Sequence, residues 1–425
     1  MADLLAAVWR DARRAVDAGG ELLRQRAADC TLVALCEAAR SAADPAWAAT
    51  ARALAGGGPG PCAVPGTDGT GDVAAVAANG FLIHAGLADD AYRVAHHPGL
   101  TVVPAALAAL ADPLLPAVAF GYELSCRLAD LLLPQASQRG WRITSVLAPV
   151  VAAGLIARVR GGDEHGLAAA RLATGVMGGP VHPVDSEGDW RLQPALAAAA
   201  GVLAARAAAT HRPRPGGLEA EGGPLAQFAG ARPATVTADP RPRLPEVAFK
   251  RHGVAMYGQA VYDAVARLPA PAGPVDRMVV TVPEFAARYG GWSRDAATCG
   301  EAGDSVASVA RLARDALAAA HPGTAPPPVE VRADDAVGPL GARVTVRTAG
   351  GETHAAAGSG DTRHWGPDDI ARHCRTRTGV DVAPLASALR ARPPAAPAAV
   401  LAAWQDLAAT VRAVRTPDPD PEMRG

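Results

Sequence analysis

The sequence predicts a mostly α-helical protein with a smaller α+β part, the helical text lying at both ends of the chain. Three observations lead there. Residues 73 to about 209 are written almost entirely in helix formers, with short breaks and few β-branched runs. Between about 233 and 375 the text changes to short Val-, Thr- and Arg-containing runs that read as strands. From Pro384 to Val414 it returns to helix formers, a segment expected to pack back on the first helices. At 425 residues the chain also exceeds the usual size of a single core. The expected division is 1–232 for the first helical part, 233–378 for the α+β part and 379–425 for the closing helices.

Taken in order, residues 1–55 place Leu4, Leu5, Val8, Ala15 and Val16 on roughly one helical face. The run 56–72, GGGPGPCAVPGTDGTGD, is a loop by its glycine and proline content. His97-Pro98-Gly99, Leu133-Pro134, Gly161-Gly162 and Gly178-Gly179-Pro180 then punctuate the long helical text, and 211–223 ends it. Strands are expected at 277–282, 329–332 and 342–347, with a turn at Ala349-Gly350-Gly351-Glu352. A helix from about Ser305 to Ala319 separates the first strand from the later ones. The resulting sheet is expected to be small and antiparallel. No internal repeat is present, and the closing Pro/Asp tail is expected to lack order.

Composition narrows the function. Apolar residues make up 49% of the chain, charged residues 20%, and the formal net charge is -1. The arginines are scattered and not clustered with aromatics, which argues against nucleic acid as a partner. Cys30, Cys36, Cys62, Cys126, Cys299 and Cys374 form no CxxC pair and match no zinc spacing, so free thiols are expected and no structural metal. The N-terminal text lacks the basic-then-apolar order of a signal peptide. Apolar stretches such as Ala195 to Ala209, which contains Arg206, read as buried helices and not membrane spans. A cytoplasmic protein with no membrane partner is expected.

The titratable groups concentrate in three segments. One carries Asp89-Asp90 and then His96-His97 before Pro98-Gly99, at a helix end where local fields shift such groups. The plain alternative is a solvated polar network at a helix terminus. The second is Gly140-Trp141-Arg142-Ile143-Thr144-Ser145, opening a long apolar helix. Thr144 or Ser145 would cap that helix, and its N-terminus beside Arg142 would suit a carboxylate, unless it is an ordinary cap. The third is Phe249-Lys250-Arg251-His252-Gly253 with Tyr257. Of the 41 basic residues one is lysine, Lys250, in a chain that otherwise uses arginine. A compact ammonium that can lose its proton suits a pocket, whereas a chance surface lysine is the plain alternative. No nucleophile-base-acid arrangement can be argued, and no GxSxG, Walker A or GxGxxG motif is present.

AANGFLIHAGLADD, HHPGLTVVPAALAAL and FGYELSCRL, followed by the glycine-tryptophan helix start and the lysine segment, resemble in this order the MmgE/PrpD family. That family includes 2-methylcitrate dehydratase, cis-aconitate decarboxylase and iminodisuccinate epimerase. The resemblance covers nearly the whole chain. It implies a helical domain from both chain ends, an inserted α+β lid, a homodimer, no metal or organic cofactor, and a pocket for small di- or tricarboxylates. His97, Lys250, Asp89 and Asp90 fall on the family's pocket histidine, lysine and Asp-Asp pair.

Several positions depart from the family pattern. Leu87 stands where an Asp is usual, Ala91 where a Thr is, and Arg142 where a His is. A second family lysine falls near Trp190-Arg191, and a further His or Cys falls at Ala255. A frequent His becomes Gln259 and a frequent Tyr becomes Ser308. Acid/base groups are thus exchanged for a permanent cation or apolar groups. The resemblance implies a cofactor-independent lyase, a dehydratase or decarboxylase acting by proton abstraction and enolate stabilisation. His97, Lys250 and Asp90 would be catalytic; Arg142, Thr144, Arg191, His96 and Tyr257 would bind a small carboxylate substrate. Two alternatives stay open: the same fold turned to isomerisation or cyclisation of a less charged substrate in secondary metabolism, and a non-catalytic scaffold.

Overall fold

The computed structural model describes residues 3–133, 135–181, 189–211, 217–230, 239–288 and 308–415. The fold is mostly α-helical with a small α+β part. Helix α1 (Leu4–Ser41) starts where the Asp3 carboxylate accepts from the Ala6 N–H, and it kinks at Gly20, whose φ of 48° suits glycine. Helix α2 (Pro45–Ala55) is capped by Asp44 with Pro45 in its first turn. The loop that follows is tied by paired main-chain bonds between Cys62 and Thr70, and it feeds α3 (Asp72–Ala85). Helices α4 (Gly99–Ala108), α5 (Leu114–Leu132), α6 (Gln135–Gln138), α7 (Ile143–Ala173) and α8 (Leu192–Ala207) complete the long helical stretch. Its glycine break at 161–162 is a kink inside α7, with Gly162 at φ 83°.

These helices share one large apolar core, in which α1 from Leu32 to Ala39 is almost wholly buried. Helices α7 and α8 pack so closely that a side chain at Gly201 would stand 2.4 Å from the Pro149 carbonyl oxygen. Among the described residues one helical stretch, Ile143–Val176, is long and apolar enough to cross a membrane; 83% of its most apolar window is buried inside the protein, as for a core helix. The chain returns to this core through α12 (Pro367–Thr378), α13 (Ala383–Arg390) and α14 (Pro397–Arg415). Trp404 on α14 is fully buried and donates its indole N–H to the Leu35 carbonyl at 2.9 Å. Helical text therefore resumes at Pro367, earlier than Pro384.

A second apolar cluster lies under the sheet. Strands β3 (Val275–Val282), β4 (Val329–Ala333), β5 (Gly341–Thr348) and β6 (Thr353–Ser359) follow the spatial order β4-β3-β5-β6. The expectation of an antiparallel sheet is corrected: β3 and β4 run parallel, and only the other two pairings are antiparallel. Helix α11 (Val309–Ala320) supplies the crossover that parallel neighbours need. It starts at a Ser308 cap, later than expected; residues 289–307, Cys299 and the Pro/Asp tail lie outside the described residues. Helix α9 (Met256–Val265) packs on the same sheet, and α10 (Glu284–Arg288) follows β3.

One small feature places the functional groups. Strands β1 (Asp90–Ala91) and β2 (Ala248–Phe249) form an antiparallel ribbon, with Asp90 opposite Phe249 and Ala91 opposite Ala248. Extending that register by one residue sets Asp89 opposite Lys250, so two segments 161 residues apart in sequence meet at one point.

Candidate active site

Four side chains form a continuous buried chain. Lys250 donates its ammonium to Asp89 Oδ1, and neither residue is more than 1% exposed. Asp89 Oδ2 lies 2.8 Å from His84 Nδ1. The carboxylate can only accept, so His84 carries its proton on Nδ1 and its lone pair on Nε2. That nitrogen accepts from Arg142 Nη2 at 2.7 Å, and Arg142 Nη1 donates to the Trp190 carbonyl. The Trp190 indole stands edge-on to His84, at 5.1 Å between ring centres.

The fields in this chain follow from its charges. Burial would raise the Asp89 carboxyl, but Lys250, His84 and His97 outweigh it and hold the group well below the carboxylate range. Burial lowers His84 to about 4, with Arg142 and Lys250 adding to the effect against the pull of Asp89. His84 is therefore neutral at pH 7 and its lone pair is occupied, so it links Asp89 to Arg142 and is not placed to act as a base. Arg142 is the N-terminal boundary residue of α7 and no side chain caps that helix, which corrects the expectation of a Thr144 or Ser145 cap. Thr144 Oγ1 instead accepts the His97 N–H at 3.0 Å, and Ser145 Oγ donates to Gln193 at 2.9 Å.

His97 sits beside this chain, its ring centre 5.3 Å from that of His84. Its Nδ1 is 2.8 Å from the Asp90 main-chain oxygen, another obligate acceptor, so the neutral ring carries its lone pair on Nε2. Unlike its buried neighbours, His97 keeps partial solvent exposure. Burial lowers its basicity, and the Lys250 ammonium presses it further down. Asp90 serves this arrangement through its backbone. Its carboxyl accepts from Tyr122 Oη at 2.5 Å and from the Gly99 N–H at 3.1 Å, at the start of α4. Burial and the charge of Asp89 push it up to about 7. Gly99 is required there, because a side chain would come within 3 Å of both Tyr122 and the Asp90 carboxyl.

The remaining expected residues make other contacts. His96 faces α5, with Nε2 2.7 Å from Ser125 Oγ, and burial lowers it to about 3. Arg191 donates to the Ala85 carbonyl at 3.0 Å and stacks on Trp190 and Trp47. Tyr257 is buried in the apolar cluster beneath the sheet. Gln259 bonds to His252 and Val254 and pins the loop after Lys250. Among the described residues no three His, Cys, Asp or Glu groups converge as metal ligands would. His84 is the member that sequence reading passed over: it sat inside a motif quoted for the aspartates, and only its five-residue separation from Asp89 hinted at a shared helix end.

A family model described as the MmgE/PrpD N-terminal domain matches residues 14–228. The chain belongs to the MmgE/PrpD family. The match runs from within α1 to beyond α8 and so includes His84, Asp89, Asp90, His97, Arg142 and Trp190, whereas Lys250 falls beyond it. No curated protein matches this MmgE/PrpD chain.

Proposed function

We propose that this MmgE/PrpD protein is a lyase, a dehydratase or decarboxylase, that acts on a small carboxylate by moving a proton α to the carboxyl group. The observation carrying this reading is the fixed tautomer of His97. Its Nδ1 is held by a backbone carbonyl, its Nε2 bears the lone pair, and the residue keeps partial exposure beside a buried ammonium. In the dehydratase form, His97 Nε2 removes the α-proton and the C–H electron pair becomes the enolate. That pair then forms the double bond as the β-hydroxyl leaves with a proton as water. In the decarboxylase form, carbon–carbon cleavage releases CO₂ and the electron pair collects a proton at carbon. Both need positive charge near the developing anion, and Lys250 supplies it.

Lys250 also tunes the base. In the free site its charge disfavours protonated His97. A substrate carboxylate arriving near Lys250 offsets that charge, so His97 becomes more basic as the substrate binds. Arg142 contributes by holding His84, and through it Asp89 and Lys250, in one arrangement. A homodimer remains part of this reading. The outward stripe Leu196, Ala200 and Leu203 on α8, uncharged and with its two leucines about half exposed, supports it, and light scattering in solution tests it. The catalytic reading is tested by proton exchange: protein in D₂O with citrate, 2-methylcitrate, cis-aconitate or itaconate should introduce deuterium or a new vinylic signal.

A further inference from the structure

A cavity of about 90 Å³ opens beside the β1–β2 ribbon, lined by Ala91, Val94, Ala248, Met256, Pro339 and Leu340, with Arg93, Glu246 and Arg363 also at its wall. Side chains alternate along a strand, so Ala91 and Ala248 project from the same face of the ribbon as Asp89 and Lys250. Asp90 and Phe249 take the opposite face. Two residues of strand rise separate the cavity from the ion pair, about 7 Å. The cavity's apolar lining therefore lies on the same face of the ribbon as the buried Lys250–Asp89 pair.

We infer that this cavity receives an alkyl substituent of the substrate, whose carboxylate lies toward Lys250 and His97. The inference rests on the carboxylate reading above and adds the substrate class: small carboxylic acids bearing one short carbon chain. Charge at the cavity argues for carbon and against a second anion. Arg93 is paired with Asp130 at 3.2 Å and with Glu246 at 3.6 Å, and Arg363 is paired with Asp361 at 2.7 Å. Within, Ala91, Ala248 and Met256 form an apolar cluster of their own, with Val94 and Leu340 packed against it. The volume sets the length, since cavities of about 150 Å³ take up benzene and 90 Å³ corresponds to roughly three or four carbons.

The backbone supports a built feature. Arg93 and Val94 both have positive φ, 49° and 72°, a conformation that a β-branched residue rarely adopts. That turn closes the Tyr92–His96 bridge, so the same strained residues form the cavity wall and deliver His97 to its place. Alanine at position 91, where the family pattern has threonine, leaves this wall apolar.

The test is the affinity of the wild-type protein for succinate and its methyl, ethyl, propyl, butyl and hexyl derivatives, by calorimetry. Succinate should bind, and affinity should rise roughly fourfold per added methylene up to three or four carbons, then fall. Leu340→Trp, which fills the cavity from the sheet side, should bind succinate as wild type does and lose the gain from the chain. If succinate binds but affinity is flat along the series, the subsite is wrong while the carboxylate reading stands. If folded protein binds none of them, both are wrong.

Discussion

His97 Nδ1 lies 2.8 Å from the Asp90 backbone oxygen, and that contact decides which ring nitrogen can take a proton. The acceptor is main chain, so no substitution of the Asp90 side chain removes it directly; displacement of the 90–99 segment does. Gly99→Ala would push the new methyl group against Tyr122 Oη, at 2.7 Å, and the Asp90 carboxyl, at 2.9 Å. It should lower stability by about 1–3 kcal/mol and reduce turnover more than substrate affinity. Urea unfolding and steady-state kinetics on one preparation check both.

Lys250→Met leaves Asp89 as a buried charge without its ammonium. The expected loss of stability is about 3–5 kcal/mol. The double variant Lys250→Met/Asp89→Asn should regain much of that stability and none of the activity. Restored activity in the double variant would show that the ion pair serves folding alone.

Arg142→Lys keeps the charge and loses the fork that reaches both Trp190 and His84. His84 Nε2 then lacks its donor, a deficit of about 1–3 kcal/mol in stability. Nitrogen chemical shifts of the histidine rings should show the His84 Nε2 signal losing its hydrogen-bonded position, with the proton kept on Nδ1 opposite Asp89, while the His97 signals stay as they are. Unchanged His84 shifts would mean that Arg142 does not set this link.

Stability should rise with pH between about 4 and 6.5. His84, His96 and His97 are depressed in the folded state, so the unfolded chain binds more protons across that window and each histidine's stabilisation is lost on acidification. Asp90 has the opposite sign: raised to about 7, it is stabilising when protonated and loses that contribution as pH rises through 7. For these four groups the balance is an uptake of about two protons on unfolding near pH 5, and His373, lowered to about 4 by burial, adds to it with the same sign. Unfolding free energies that are flat from pH 4 to 6.5 would contradict the buried neutral state of these histidines.

Much of the fold was legible because helical text is long and dense in apolar residues. Asp3, Asp44 and Ser308 cap as their residue types suggest, and the glycine pairs mark real breaks or kinks. The parallel β3–β4 pairing was not, since strand direction depends on a crossover and not on the strand's own pattern. Lys250 was singled out by its rarity, yet its partner Asp89 was shown only by the ribbon register, a contact 161 residues away in sequence. The roles of His84 and Arg142 were hidden for a related reason: each is defined by the atom that occupies its lone pair or its N–H.

The most direct measurement of the central claim is deuterium incorporation by proton NMR, comparing wild-type protein with His97→Gln on the same carboxylate panel. The account predicts exchange or elimination by wild type and a rate about 10²–10⁴-fold lower in the variant, with ligand binding retained. Exchange at an unchanged rate in folded His97→Gln protein would contradict it.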